Sequence, residues 1–141
     1  MEQIETIAGA HGGRQPALAG VRILLVEDDL LSQEALALVL AAHGAVVDCA
    51  AAAPQAIARL EHAAPHVIIS DIGLPGVDGY DLIRRVRHRE AARGERIAAL
   101  AISGFCDVGT RRAQAAGFDA FLSKPVDIET LVARVRRLVG A

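Results

Sequence analysis

Val21-Arg22-Ile23-Leu24-Leu25-Val26, followed at once by Glu27-Asp28-Asp29, is the stretch on which the fold turns. It is a short apolar run, broken only by Arg22, that stops at acids. Two later segments repeat the pattern: Val67-Ile68-Ile69-Ser70 runs into Asp71, and Ile97-Ala98-Ala99-Leu100-Ala101-Ile102 runs into Ser103. Runs that are apolar on both faces suit central parallel strands covered by helices on each side. Ala45 to Cys49 and Ala120 to Leu122 are weaker strand candidates.

Helix-length segments with apolar spacing lie between these runs. Leu31, Ala35, Leu38 and Val39 form one stripe; Tyr80, Ile83 and Val86 a second; Leu131, Val135 and Leu138 a third. Gly44 and Gly117 stand where left-handed C-terminal caps belong, and Asp29, Asp107 and Asp127 where N-caps belong. Pro54 fits the first turn of a helix. The alternation gives about five β/α units, hence an α/β, doubly wound parallel sheet in three layers.

The bulk properties narrow the function classes. At 141 residues the chain fits one domain with a real core. Residues 1 to 20, with Gly9, Gly12, Gly13, Pro16 and Gly20, read as a flexible tail or linker remnant outside the core, and residues 21 to 141 as the domain. A 52% hydrophobic content argues against disorder, and a net charge of −2 offers no electrostatic reason to bind nucleic acid. Cys49 and Cys106 do not make a disulfide framework. The acidic N-terminus is unlike a signal peptide, and the longest uncharged apolar run, Ala35 to Ala42, is too short to span a bilayer. A cytoplasmic protein without membrane insertion is expected.

In a doubly wound sheet, ligands bind at the carboxyl ends of the strands. Strand one ends in Glu27-Asp28-Asp29, strand three in Asp71, strand four in Ser103, and strand five is followed by Lys124. Carboxylates, a hydroxyl and a lysine converging on one rim describe a divalent-metal and phosphoryl site.

These residues carry a family resemblance. Val26-Glu27-Asp28-Asp29, the block from Ser70-Asp71-Ile72-Gly73-Leu74-Pro75 to Gly79-Tyr80, Ser103-Gly104-Phe105 and Leu122-Ser123-Lys124-Pro125 resemble, in order and spacing, the motifs of bacterial two-component receiver domains. The resemblance runs from about Val21 to Leu138 and is specific only as a set. It implies a flavodoxin-like (βα)5 fold with strand order 2-1-3-4-5. It implies Mg²⁺-dependent transfer of a phosphoryl group from a phosphohistidine, on a histidine kinase or histidine phosphotransfer protein, to Asp71. Asp28 is then a direct metal ligand, with Glu27 acting through water, since Mg²⁺ keeps several waters and takes one or two carboxylates. Three carboxylates within about 5 Å repel by several kcal/mol per pair at an effective dielectric of ~20, so the cluster needs a cation. Mn²⁺ is expected to substitute.

The same resemblance makes Lys124 the partner of the phosphoryl oxygens, in front of a cis Lys124–Pro125 peptide. Gly73 supplies a carbonyl to the metal, and Gly73 and Gly104 supply N–H groups to the phosphoryl. Ser103, in place of the commoner Thr, is the switch hydroxyl. Phe121 is either a movable aromatic gate or a plain core aromatic. Phosphorylation should draw Ser103 toward the phosphoryl and Phe121 inward, with the fourth helix and fifth strand resettling. Gly73 and Phe105 stand where relatives often carry water-orienting polar groups, so slow self-dephosphorylation is expected. A phosphoryl half-life of seconds at neutral pH contradicts that.

Other features are blander. Arg84, Arg85, Arg87 and Arg89, and Arg134, Arg136 and Arg137, read as solvated helix faces, with a docking surface as the other reading. The five histidines show no metal spacing. A haloacid-dehalogenase-like phosphatase would need an acid two residues after its nucleophile, where Gly73 stands, and a nucleophile on the first strand. A flavodoxin-like electron carrier would need a phosphate loop where Glu27-Asp28-Asp29 repel FMN's phosphate. A receiver-like module that is never phosphorylated is disfavoured because the acids, hydroxyl and lysine are all present. Whether the chain is a stand-alone regulator or a receiver cut from a larger protein stays open, with the closest flavour that of receivers in hybrid histidine kinases.

Overall fold

The computed structural model describes residues 16–72, 79–104 and 109–140. In chain order the elements are β1 (Arg22–Val26), α1 (Leu30–Ala42), β2 (Val46–Ala50), α2 (Ala53–His62), β3 (Val67–Asp71), α3 (Gly79–Arg93), β4 (Ala98–Ser103), α4 (Gly109–Ala116), β5 (Ala120–Ser123) and α5 (Ile128–Leu138). The five strands form one parallel sheet in the order 2-1-3-4-5, as the resemblance implies. None of the described helices is long and apolar enough to cross a membrane.

Each central strand alternates its side chains between two apolar layers. Leu24, Val26, Ile68, Ala99 and Ala101 pack with Ala53, Ala56 and Leu60 of α2, Leu82, Ile83 and Val86 of α3, and Ala113 of α4. Ile23, Leu25, Val67, Ile69, Leu100 and Ile102 pack with Leu40 of α1 and Leu131, Val132 and Val135 of α5. Each Leu or Ile so buried contributes roughly 1.5–3 kcal/mol, and the pull on both faces is why these strands read as unbroken apolar runs. Strand register then aligns the rim. Val26 lies opposite Ser70, Asp71 opposite Ile102, and Ser103 opposite Ser123. Asp71 and Ser103 are the last residues of their strands rather than the first loop residues.

The capping expectations at Asp29 and Asp127 are met. Asp29 accepts from the Ser32 N–H (3.0 Å) and hydroxyl (2.6 Å), and Asp127 from the Thr130 N–H (2.9 Å) and hydroxyl (2.7 Å). Gly44 and Gly117 take φ of 98° and 124° after their helices, conformations that disfavour any side chain. The Lys124–Pro125 peptide is cis. Asp107, Phe105, Cys106 and Gly73 lie outside the described residues.

Three expectations are corrected. Residues 16–20 do not all belong to a tail. Leu18 is fully buried in the layer with α1 and α5, its N–H donates to the His43 carbonyl (2.8 Å), and the Gly20 N–H donates to the Gly44 carbonyl (3.2 Å). A single apolar residue among glycines carries no periodic signal, so sequence pattern hides it.

The inward stripe of α1 is not Leu31-Ala35-Leu38-Val39. Leu31 and Leu38 are 78% and 67% exposed, while Leu36, Ala37 and Leu40 pack on the core. The helix is apolar nearly all round, so apolar spacing cannot choose a face. The face that turns inward is headed by a polar residue, Gln33, whose amide is held by the ends of β1 and β2.

Arg87 and Arg89 are not solvated. Their side chains are 20% and 12% exposed, and Arg87 donates to the Gly117 and Ile97 carbonyls while Arg89 donates to the Leu60 carbonyl. Their guanidinium groups cap carbonyls at the amino end of the sheet, which helix spacing alone does not reveal.

Candidate functional site

The rim at the carboxyl ends of the strands collects most of the residues singled out above. Glu27 directly follows β1 and is buried, 2% exposed. Its N–H donates to the Ala50 carbonyl at 3.0 Å, and its own carbonyl accepts from Gln33 Nε2 at 3.0 Å. The carboxylate accepts from the Asp29 N–H through Oε2 (3.1 Å) and from Lys124 Nζ through Oε1 (3.0 Å). Lys124 Nζ also donates to Asp71 Oδ2 at 2.9 Å. One carboxylate oxygen from each of Glu27, Asp28 and Asp71 lies within 4.8 Å of the others. Three chain segments are thereby brought together across a sequence span of 97 residues.

Ser103 is buried at the end of β4, and its carbonyl accepts from the Lys124 backbone N–H at 2.8 Å, which docks the lysine's segment on the same rim. Gly104 beside it is exposed, and among the described residues a Cβ there would meet nothing within 4 Å. Phe121 on β5 is half-buried against the layer containing Tyr80 and Phe118. The Asp29 side chain is turned to its capping role, as expected, and only its backbone N–H touches the cluster, at Glu27.

The electrostatics are lopsided. Burial pushes the Glu27 carboxyl up; hydrogen bonds from Asp29 N–H and Lys124 partly offset this, and the Asp71 charge adds to it. Burial draws the Lys124 ammonium down, but its hydrogen bonds to Asp71 and Glu27 and their charges outweigh that, and it ends above its ordinary value. Among the described residues, three carboxylates gather around one ammonium, which bonds to Glu27 and Asp71, so the cluster carries more negative than positive charge. The all-oxygen donor set, with Asp28 exposed and Asp71 half-buried, fits a hard divalent cation that keeps part of its water shell.

Two contributors were missed by sequence reasoning. Gly79 opens α3 with its N–H donating to the Ile72 carbonyl (2.8 Å), and a Cβ there would sit 2.7 Å from the Asp71 carbonyl oxygen and 2.6 Å from Ile72 Cα. A glycine within the quoted Ser70 to Tyr80 block, where backbone must come close to backbone, was the available signal. Gln33 joins the loop carrying Glu27 and Asp28 to the end of β2, and no local pattern announces that contact.

Comparison with known proteins agrees with this geometry. A family model described as "Response regulator receiver domain" matches residues 23–136. The chain is 36% identical over 121 residues to an uncharacterized 14.6 kDa protein of Leptolyngbya boryana, covering 85% of this chain and 91% of that protein. It is 37% identical over 122 residues to the response regulator Rre1 of Synechocystis, covering 85% of this chain but only 52% of that protein. The chain thus spans about half the length of Rre1 and of other curated relatives that it matches, the transcriptional regulatory proteins PmrA and TcrA. Among solved structures it resembles the receiver domain of a sensor histidine kinase from Pseudomonas aeruginosa PAO1, which holds a magnesium ion in its active-site cleft. There the TM-score is 0.78 at 31% identity, covering 87% of this chain and all of that one.

Proposed function

The chain belongs to the response regulator receiver domain family, and from that premise we propose that Asp71 is its phospho-acceptor, served by Lys124, Ser103 and a Mg²⁺ ion held by Glu27, Asp28 and Asp71. The observation that carries this reading is the convergence of three carboxylates within 4.8 Å, two of them bridged by Lys124 Nζ.

Phosphoryl transfer through a loose transition state asks a protein chiefly to position groups and neutralise charge. An Asp71 carboxylate oxygen attacks the phosphorus of a phosphohistidine in line. The P–O bond forms as the P–N bond breaks, and the electron pair returns to the imidazole nitrogen, which takes up a proton. Bound Mg²⁺ supplies charge neutralisation for the phosphoryl oxygens and the clustered carboxylates; Mn²⁺ substitutes as another hard divalent ion. Lys124, already donating to Asp71 Oδ2, transfers that donor to a phosphoryl oxygen while its bond to Glu27 keeps it in place. Gly73 and Gly104 offer backbone groups to the metal and phosphoryl. The Ser103 hydroxyl then donates to the bound phosphoryl and Phe121 turns inward, shifting the domain between two states through contacts made in only one.

The donor is a histidine kinase or a histidine phosphotransfer protein. Leu30, Leu31 and Leu38 support a protein donor, since all three are more than two-thirds exposed on the helix that begins beside Asp28. A donor helix laid on this face would bring its phosphohistidine over the rim.

The experiment is mass spectrometry after incubation with acetyl phosphate and Mg²⁺. The wild type should gain the mass of one phosphoryl group, and neither Asp71→Asn nor wild type treated with a chelator should gain it. Equal phosphorylation of Asp71→Asn overturns the assignment.

A further inference from the structure

We propose that Gln33 is a positioning residue of the acidic cluster, holding the peptide between Glu27 and Asp28 so that both side chains face Asp71. Gln33 Nε2 donates to the carbonyl of Glu27 at 3.0 Å and to the carbonyl of Ala50 at 3.2 Å. Both neighbours can only accept, so the two N–H bonds of the side-chain amide are used, one on each. The Glu27 N–H donates to the same Ala50 carbonyl at 3.0 Å. Three segments are thereby tied at one point: the end of β1, the end of β2 and the first turns of α1.

The geometry explains why one amide reaches both ligands. The Glu27 carbonyl and the Asp28 N–H belong to a single planar peptide. Fixing that carbonyl fixes the plane, and the plane sets the direction in which Asp28 leaves the backbone. The Glu27 side chain is pinned separately by the Asp29 N–H and Lys124. Asp28 is exposed, and its backbone is held through Gln33. The position also accounts for the rotation of α1. Gln33, Leu36, Ala37 and Leu40 share the inward face, so the bond that orients the loop is backed by core packing two turns along the same helix.

Partners one layer outside a metal site commonly change metal affinity about 10–100-fold when removed. Removing this one should weaken metal uptake without touching the phospho-acceptor. The proposal rests on the metal reading given above, and the test separates the two. Mg²⁺ is titrated calorimetrically into unphosphorylated wild type, Gln33→Met and Leu36→Ala, and amide hydrogen exchange at Glu27 is measured without metal. Gln33→Met keeps the bulk and loses the donors; Leu36→Ala loosens the same helix face but leaves the loop's hydrogen bonds alone. Gln33→Met should raise the Mg²⁺ Kd by about tenfold or more and speed exchange of the Glu27 amide, while Leu36→Ala leaves the Kd within about twofold of wild type. A Gln33→Met Kd equal to wild type overturns the proposal alone, and so does an equal loss in Leu36→Ala. A wild type that takes up no Mg²⁺ overturns the metal reading and this proposal with it.

Discussion

Charged residues gather at both ends of the sheet, and the two gatherings are built on opposite terms. At the amino ends of β4 and β5, Glu90 accepts from the Ile97 N–H (2.6 Å) and Arg87 (2.9 Å). Asp119 accepts from the Ala99 N–H (2.8 Å), Arg87 (2.8 Å) and Arg96 (2.9 Å). Arg89 and Arg93 meet Glu95 and Glu61 nearby. Four acids face four arginines. At the carboxyl rim, three acids cluster and two of them, Glu27 and Asp71, share Lys124. The balanced end ties α3 to the turn before β5, with each of these acids paired to an arginine. On the proposed reading, the acidic end is where a divalent cation would relieve carboxylate repulsion.

The sharpest way to break this contrast is to remove one acid from each end. Asp71→Asn should abolish phosphoryl uptake entirely, yet the metal-free protein should unfold at an equal or higher denaturant concentration, by up to about 1 kcal/mol, because repulsion is relieved. Asp119→Ala should do the reverse. It removes one of Arg87's partners and leaves the Ala99 N–H without its acceptor, and should cost about 1–3 kcal/mol by urea unfolding while leaving phosphorylation with acetyl phosphate intact. Matching stability losses at the two ends would erase the distinction.

The same contrast marks what sequence could and could not disclose. Strand identity and the rim acids were legible because burial on both faces writes itself as unbroken apolar runs that end in polar residues, as at Val67 to Asp71, while strand order came only with the family resemblance. What stayed hidden depends on contacts distant in the chain. Leu18 among glycines, the rotation of α1 about Gln33, and the burial of Arg87 under the Gly117 and Ile97 carbonyls each need a partner from another segment. Helical spacing describes a helix's own surface and says nothing of which carbonyl waits opposite. The rim was legible for its chemistry, and the support beneath it was not.

Metal should act on one end only. At a free Mg²⁺ concentration ten times Kd, the wild type should gain roughly 1.4 kcal/mol, and Asp28→Asn much less at the same concentration. Asp119→Ala should gain as much as the wild type, since its lesion lies at the far end. An equal gain in Asp28→Asn would remove the acidic cluster as the cause.

The smallest expected effect is in pH. Glu27 has a folded value above 4.5, so its contribution to stability is present below 4.5 and fades as pH rises through that raised value. Metal needs the ionised form, so Mg²⁺ stabilisation should weaken on acidification as the Glu27 carboxyl takes up its proton. Lys124 is raised as well, so its ion pairs should persist through pH 10.5 and be lost only above it. Thermal melts across the acid range with and without Mg²⁺ read the first effect directly.

The most direct test of the whole arrangement is to locate the phosphoryl group chemically. An aspartyl phosphate is reduced by borohydride where a free carboxylate is not, so peptide sequencing after treatment with donor, Mg²⁺ and borohydride reports the acceptor. Modification should fall at position 71 alone and vanish when Mg²⁺ is chelated. Modification at another acid, or at position 71 regardless of metal, would contradict a phosphoryl site assembled from the ends of β1, β3, β4 and β5.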